Sequence, residues 1–354
     1  MRTLFIGFSA LVLLFVVLYL AAPIDPAIWK PPPNPGLAGE FSANNRLAQL
    51  PRVLEGIGHG PEGVACGEAG QHYTGLHDGR IFKFNDRGEY SELVNTGGRP
   101  LGMKVATEGN LIVADAILGL ISVSPEGELK VLTDSVNGKR MLFVDDLDIA
   151  DDGTIWFSDA SARHGYKDNI LDFFDGRPSG RLISYHPDTA ETRVHLEDLF
   201  FANGVAMGPD DTYVLINETG TGRIHRLWLH GDKAGQRDLF HKGLPGTPDN
   251  ITFNGTDTFW VAMPSLRKTI DDLADKPLLR RYLSVLPRSL LSANAGNYSF
   301  LVGLGLDGEV KHNLQDSSKG FVNITSAVEC GPWLYIGSLT MPAVGRLPLS
   351  QLTE

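Results

Sequence analysis

The chain has 354 residues, 42% of them hydrophobic, and a net charge of −11 at pH 7. That balance excludes nucleic acid as a partner, because phosphate contacts need a positive stripe and no Lys/Arg cluster interleaves with aromatics here. The 40 glycines suit an all-β protein with many tight turns, and all-β folds often exceed 250 residues as one domain.

Residues 1–22 read as a transmembrane signal anchor. From Leu4 to Ala22 there is no charge, and Leu, Val and Phe dominate. At about 1.5 Å per residue such a run is long enough to cross the hydrocarbon core. A cleaved signal peptide is the rival, with Ala21 and Ala22 as the small residues before the cut. Arg2 on the short flank puts the N-terminus in the cytoplasm, hence a single-pass membrane protein whose body lies on the non-cytoplasmic side. Residues 23–50 follow as a linker in which Pro23, Pro26 and the run Pro31 to Pro35 make a stiff spacer.

The rest, residues 51–354, repeats one short pattern six times: an acidic or amide residue beside Gly or an apolar residue, a turn, then a strand. The copies start at Gly60, Arg99, Val144, Ala202, Pro248 and Ile324. Repeats of roughly 40 residues with several β-runs each mean a propeller or solenoid, and six predict a six-bladed β-propeller. Strand-like runs are Asn110–Ala114, Thr154–Ser158, Tyr213–Asn217, Phe259–Ala262 and Leu334–Gly337. Turns are signalled at Asp78-Gly79, Asp152-Gly153, Asn254-Gly255 and Asp307-Gly308. The third repeat is stretched by 163–179 and the fifth by 266–298. In the fifth, Leu278, Leu279, Tyr282, Leu283, Leu286, Leu290 and Leu291 recur near helical spacing, and Pro287 ends or kinks the first helix. This short helical insert is open to three readings: a lid over a substrate pocket, a cover for a blade edge, or a membrane-surface contact. Cys66 and Cys330 fall in the first and last repeats, which a closed ring makes neighbours. A disulfide is then possible, but the commoner state of two such cysteines, a pair of unlinked buried thiols, is the expectation.

A propeller brings the starts of its inner strands around one channel, so distant residues converge. Glu62, Asp145, Asn203, Asp249 and Asn250 each open a repeat. Three carboxylates and one or two amides satisfy a hard cation such as calcium, which takes six to eight oxygens. Zinc would want imidazole or thiolate, and no such cluster is visible. Each motif alone also reads as a turn former; their equivalent positions favour metal. A second set, Asp115, Asp159 and Glu218, ends the following strand in repeats two to four. These either cap loops or bind polar substrate groups. No Gly-x-Ser-x-Gly elbow is present, and the histidines hold no matching repeat positions.

With those residues in view, the chain resembles the strictosidine-synthase-like branch of the calcium-dependent six-bladed propellers, a group that includes gluconolactonases, paraoxonases and diisopropyl-fluorophosphatase. The carriers are Gly-Pro-Glu-Gly at 60–63, Gly-Arg-Pro-Leu-Gly at 98–102, Asp-Asp-Leu-Asp at 145–148, Ala-Asn-Gly-Val-Ala at 202–206 and Pro-Asp-Asn-Ile at 248–251. The resemblance implies calcium held by Glu62, Asn203 and Asp249, with Asn250 adjacent and Asp145 standing where the family usually has Asn. It implies metal-assisted hydrolysis of a lactone or aryl ester, with Asp249 as the catalytic base. Two departures matter: Thr325 stands where strictosidine synthases have a Glu base, and Leu101 where paraoxonases have a His. The alternatives are a non-catalytic, membrane-tethered binding protein with structural calcium, and a condensing enzyme using Asp159 or Glu218 as base.

Overall fold

A computed structural model describes residues 2–292 and 298–352. Six four-stranded antiparallel sheets form, each in sequence order from the channel outward, except that the last borrows its outer strand. The innermost strands are Val64–Cys66, Pro100–Val105, Val144–Ile149, Ala202–Met207, Ile251–Phe253 and Ile324–Cys330, in blades 1 to 6. Strand Arg52–Val53 pairs with Val344–Pro348, so the N-terminal side of the chain completes blade 6 and closes the ring.

The second strand of each later blade lies where β-branched and aromatic runs predict it, shifted by about one residue: Leu111–Asp115, Ile155–Asp159, Tyr213–Glu218, Phe259–Met263 and Trp333–Ser338. The turn glycines Gly79, Gly153, Gly255 and Gly308 all take positive φ, the conformation that lets a tight hairpin close without a Cβ clash. Alternate residues of each sheet face the two neighbouring blades, so the core is a set of inter-blade seams. Leu215 and Ile224 of blade 4 meet Val261 of blade 5. Leu301 of blade 5 meets Leu334 of blade 6, and Phe82 of blade 1 meets Tyr335 across the closure.

That closure corrects the expectation for the cysteines. Cys66 and Cys330 lie on the inner strands of blades 1 and 6 with Cα atoms 5.7 Å apart, and they are disulfide-bonded rather than free. The ring puts two strands that are 264 residues apart in sequence side by side.

The N-terminal segment is a helix, α1 (Arg2–Ala21). Among the described residues, no helix is long and apolar enough to cross a membrane. The linker differs from a free spacer. Residues 23–50 run as a strap over the propeller: Ala27 N–H donates to Asp175 O at 2.8 Å, Trp29 meets Phe200 edge-on at 5.2 Å, and Arg267 donates to the Pro32 and Pro33 carbonyls. Phe41 and Leu47 are buried in inter-blade seams.

The third-repeat insert contains a helix that the periodicity did not reveal, α2 (Ile170–Asp175), ended by Gly176 in the left-handed conformation. A Cβ at Gly176 would lie 2.5 Å from the Trp29 ring, so glycine serves both the cap and the strap. The fifth-blade insert is helical as expected, in three pieces: α3 (Lys268–Asp271), α4 (Pro277–Leu283) and α5 (Arg288–Ser292). Pro287 falls between the last two. Residues 293–297 of this insert lie outside the described ones.

Candidate metal centre

The six residues that begin the inner strands form one ring: Glu62, Leu101, Asp145, Asn203, Asp249 and Thr325. In blades 2, 3, 4 and 6 the ladder to the second strand slips at this point, between Pro100 and Met103, Val144 and Leu147, Ala202 and Val205, and Ile324 and Ser326. Such bulges bend a strand and re-aim its side chains. In blades 1 and 5 the residue simply precedes the strand. Packing at the hub is tight: a Cβ on Gly204 would sit 2.5 Å from Asp249 O. The Asn-Gly pair is therefore a close-approach device here, not just a turn.

Glu62, Asp145 and Asp249 converge, each offering a carboxylate oxygen within 4.8 Å of the others, and all three are buried. Oxygens around one calcium, each 2.3–2.6 Å from it, lie about that far apart. Without a cation the arrangement is costly. Burial first, then repulsion from Asp249 and Glu62, pushes the Asp145 carboxyl well above its usual range. Burial and then Glu62 do the same to Asp249, against a hydrogen bond from the Asn203 side chain. Glu62 is raised by burial, which outweighs the pull of Arg99. The Asn203 Oδ1 is buried with no hydrogen-bond partner. Three crowded carboxylates and an orphaned amide oxygen suit a hard divalent ion, and they include no imidazole or thiolate for zinc.

Asn250, next to Asp249, lines a separate cavity of about 180 Å³ with Asp146, Asp148, Lys104, Ser326 and Glu329, and its Oδ1, like that of Asn203, is buried with no hydrogen-bond partner. The Asp-Asp-Leu-Asp motif divides between the cluster and this cavity. Asp145 faces the carboxylate cluster, while Asp146 and Asp148 accept the Val205 and Met207 N–H groups at 3.0 and 2.9 Å and tie blade 3 to blade 4.

The second acidic set is also placed elsewhere. Asp115 accepts the N–H of Arg99, Ile117 and Leu118, each at 2.9 Å. Asp159 accepts Phe143 N–H at 3.0 Å and pairs with Arg181. Glu218 accepts Phe200 N–H at 2.9 Å and bonds His225 at 3.0 Å. Each spends its oxygens on the loop entering its own blade and on the turn or strand that follows, and none lines the cavity described next. Capping, not substrate contact, is the role this geometry gives them, and a condensing base at Asp159 or Glu218 has no access to that cavity.

Above the carboxylate cluster opens a cavity of about 490 Å³, floored by Glu62, Asp145, Asn203 and Asp249. Its walls are apolar. Leu101, Phe143 and Phe201 come from the propeller, Ile170 and Phe173 from α2 and the residue range of the third-repeat insert, and Ile270, Leu273 and Leu291 from the fifth-blade insert. The lid reading of the insert thus matches its position, and the third repeat supplies a second wall.

Two residues at the centre were not singled out from sequence. Arg99, 1% exposed, donates from its guanidinium to Glu62 at 2.5 Å and to Gly60 O at 3.2 Å. Tyr166 lines the cavity with its ring 5.9 Å from that guanidinium. Arg99 lies in the Gly-Arg-Pro-Leu-Gly motif, but two positions ahead of the ring, so repeat equivalence gave no reason to choose it.

Known proteins bear on this arrangement. The strictosidine synthase family model matches residues 145–232, and the model for the strictosidine synthase-like N-terminal region matches residues 39–84. The adipocyte plasma membrane-associated protein of Rattus norvegicus is 32% identical, with 97% of each chain covered. The chain belongs to the strictosidine-synthase-like family. Protein STRICTOSIDINE SYNTHASE-LIKE 6 of Arabidopsis thaliana is 36% identical over 83% of this chain and 80% of its own. Among solved structures, a gluconolactonase from Xanthomonas campestris superposes with a TM-score of 0.62 at 18% identity, covering 93% of this chain and 98% of its own. A regucalcin from Agrobacterium tumefaciens, described as a calcium-binding protein, gives 0.57 at 13% identity, covering 84% and 92%. At those identities the structural neighbours establish a shared fold. The family's propeller, expected from the motifs, is thereby in hand.

Proposed function

We propose that this protein is a membrane-anchored, calcium-dependent hydrolase of lactones or aryl esters. The observation that carries the reading is the buried Glu62–Asp145–Asp249 cluster at the floor of an apolar cavity large enough for a small ester. Glu62, Asp145, Asn203 and Asp249 would hold the ion, and Asn250, whose Oδ1 is also buried and unpartnered, would offer a further amide oxygen beside Asp249. Their three negative charges less the one positive charge of Arg99 balance a divalent cation. Bound calcium supplies Lewis-acid polarisation of the substrate carbonyl and countercharge for the oxyanion that develops on it. Support for this ion comes from the oxygen-only donor set and from the calcium-binding description of the regucalcin neighbour; support for lactone chemistry comes from the gluconolactonase neighbours.

The chain's own residues do the rest. Phe143, Phe201 and Leu101 exclude bulk water and grip the acyl or aryl part. Asn203, hydrogen-bonded to Asp249, orients that carboxylate. One Asp249 oxygen takes the proton of the attacking water, whose hydroxyl adds to the acyl carbon; the leaving alkoxide then receives the proton. Arg99 pins Glu62 through its ion pair.

The uncharged, apolar run from Leu4 to Ala22, the Arg2 before it and the plasma-membrane association in the relatives' name support a single-pass anchor with the propeller on the non-cytoplasmic side. The test is hydrolysis of phenyl acetate and a γ-lactone by the full-length protein with and without a calcium chelator. Turnover that chelation leaves undiminished would end this reading.

One observation favours a second reading, a membrane-tethered binding protein with structural calcium. Leu101 and Thr325 leave two ring positions without a titratable group, and Thr325 spends its hydroxyl on Glu62 O at 2.9 Å. No turnover on a panel of esters and lactones, together with calcium still raising the melting temperature, would select it.

A further inference from the structure

The fifth-blade insert carries leucines on its outer side as well as toward the cavity. On α4, Arg280 is fully buried; its guanidinium donates to Phe174 O at 2.8 Å and to the Ala27 and Ala274 carbonyls, and it lies 4.5 Å from the Trp29 ring centre. Leu283 packs with Ile24, Leu171 and Phe174 on the same inner side. The outer side carries Leu278, 62% exposed, and Leu279, 45% exposed. Continuing along the insert, Leu286 and Leu290 are exposed as well, whereas Leu291 next door lines the cavity. A soluble lid would not leave four leucines in water while burying an arginine.

The occupant of this face follows from what adjoins it. Leu278 and Leu279 lie four and three residues before Tyr282, on one helical stripe. Tyr282 packs between Phe15, 5.6 Å away edge-on, and Tyr19, 6.4 Å away, both on α1. The leucines of the insert are therefore continuous with the exposed apolar surface of α1, where Leu13, Leu14, Val16, Val17 and Leu20 also face outward. At this junction Arg281 stacks on Tyr19 at 4.0 Å and pairs with Asp25 at 3.3 Å. Tyrosine beside arginine at the end of an apolar helix is the composition of a headgroup layer.

We infer that the outer face of the insert, Leu278, Leu279, Leu286 and Leu290, lies in the surface of the bilayer that α1 enters, and that the cavity takes its substrate from that layer. The substrate class is then an ester or lactone with a long acyl chain, dissolved in the leaflet and entering between α2 and the insert. The inference rests on the hydrolase and anchor readings above, and its test separates from theirs.

Cys66 and Cys330 are the chain's two cysteines and are bonded to each other, so a cysteine introduced at one site takes a thiol-reactive dye alone. Full-length Leu279→Cys and Leu290→Cys variants, each labelled with an environment-sensitive nitrobenzoxadiazole, are reconstituted in phosphatidylcholine–phosphatidylglycerol vesicles. Thr256→Cys, in an exposed turn of blade 5 beyond the far end of its inner strand, is the control. Blue-shifted emission and quenching by nitroxide lipids at 279 and 290, and not at 256, is the result expected. Emission at 279 and 290 matching that at 256 overturns docking. So does a blue shift without lipid quenching in a protein that cross-links as a dimer, because a second copy then covers the face.

The substrate arm uses the fourfold variant Leu278→Ser, Leu279→Ser, Leu286→Ser, Leu290→Ser. It should lose about tenfold in kcat/KM on p-nitrophenyl palmitate carried in vesicles and keep its activity on dissolved phenyl acetate within about twofold. Equal losses on the two overturn the membrane route. Inactivity of the unaltered protein on both esters would sink the hydrolase reading and this substrate class with it, while the quenching result still decides docking.

Discussion

Two sets of three buried carboxylates occupy repeat-equivalent positions in this propeller, and their surroundings are opposite. Asp115, Asp159 and Glu218 are rich in donors. Burial alone would raise Glu218, yet the bonds from His225, Phe200 N–H and Thr221 hold its carboxyl below the ordinary range, while burial still raises Asp159 against its ion pair with Arg181. Asp145 and Asp249 share burial but few donors, and they sit well above that range. Burial therefore says nothing by itself about role. What distinguishes a cap from a cation site is whether the protein already supplies the positive partners that a desolvated carboxylate demands.

The comparison can be broken in several ways. The largest effect is expected at the donor-poor set. Asp249→Asn should lower kcat/KM on phenyl acetate by roughly 10²–10⁴ and, with Glu62→Gln, abolish the rise in melting temperature on adding calcium. Stability of the calcium-free protein should hold or increase, since like charges have been removed. A variant that still binds calcium with full affinity would show the two sets to be equivalent after all.

At the donor-rich set the expected pattern is the converse. Asp159→Ala leaves Arg181 buried and the Phe143 N–H without its acceptor, at a cost of about 3–5 kcal/mol. Calcium affinity, by titration calorimetry, should be unchanged. A folded, equally stable variant with weakened calcium binding would return Asp159 to the site.

A buried carboxyl outside both sets gives a graded version of the comparison. Asp172 on α2 is pushed from its ordinary 3.8 up to about 7 by burial, against a hydrogen bond from Ser161 and the charges of His164 and Arg163. A raised carboxyl keeps its proton in the folded state while the unfolded chain has lost it. Stability should therefore fall as pH rises from about 4 to about 7, by an amount on the order of 4 kcal/mol, and level off above that. Asp172→Asn should remove this slope, read as denaturation midpoints across the window. An unchanged slope would mean that Asp172 has donors in solution like the capping set.

The smallest of these effects concerns the seam. Replacing Cys66 and Cys330 by serine should cost about 2–4 kcal/mol by freeing the unfolded chain, with calcium affinity nearly kept, because the ring residues sit at the starts of the inner strands and the cysteines at their ends. A large loss of calcium binding would tie the site to the closure.

Much of the fold was legible beforehand, for a physical reason. Strand, turn and channel position are local properties repeated six times, so Glu62, Asp145, Asn203 and Asp249 could be aligned with one another before any coordinates. Arg99 and α2 stand outside the repeat and had no second copy to mark them. Asp115 and its counterparts were recognisable as a set, but their donors come from loops 16 to 18 residues upstream, a pairing that no local pattern states.

By itself the sequence determined the number of blades, the residues that meet at the hub, the hard-oxygen character of that meeting and the helical nature of the fifth-blade insert. All of these follow from periodicity and from the chemistry of single side chains. Only the tertiary structure decided that the cysteines pair, that the proline-rich strap lies on the propeller, and which acidic ring is satisfied. Those outcomes depend on which atoms of distant segments come within hydrogen-bonding or bonding distance, and that is settled by the packing of whole blades.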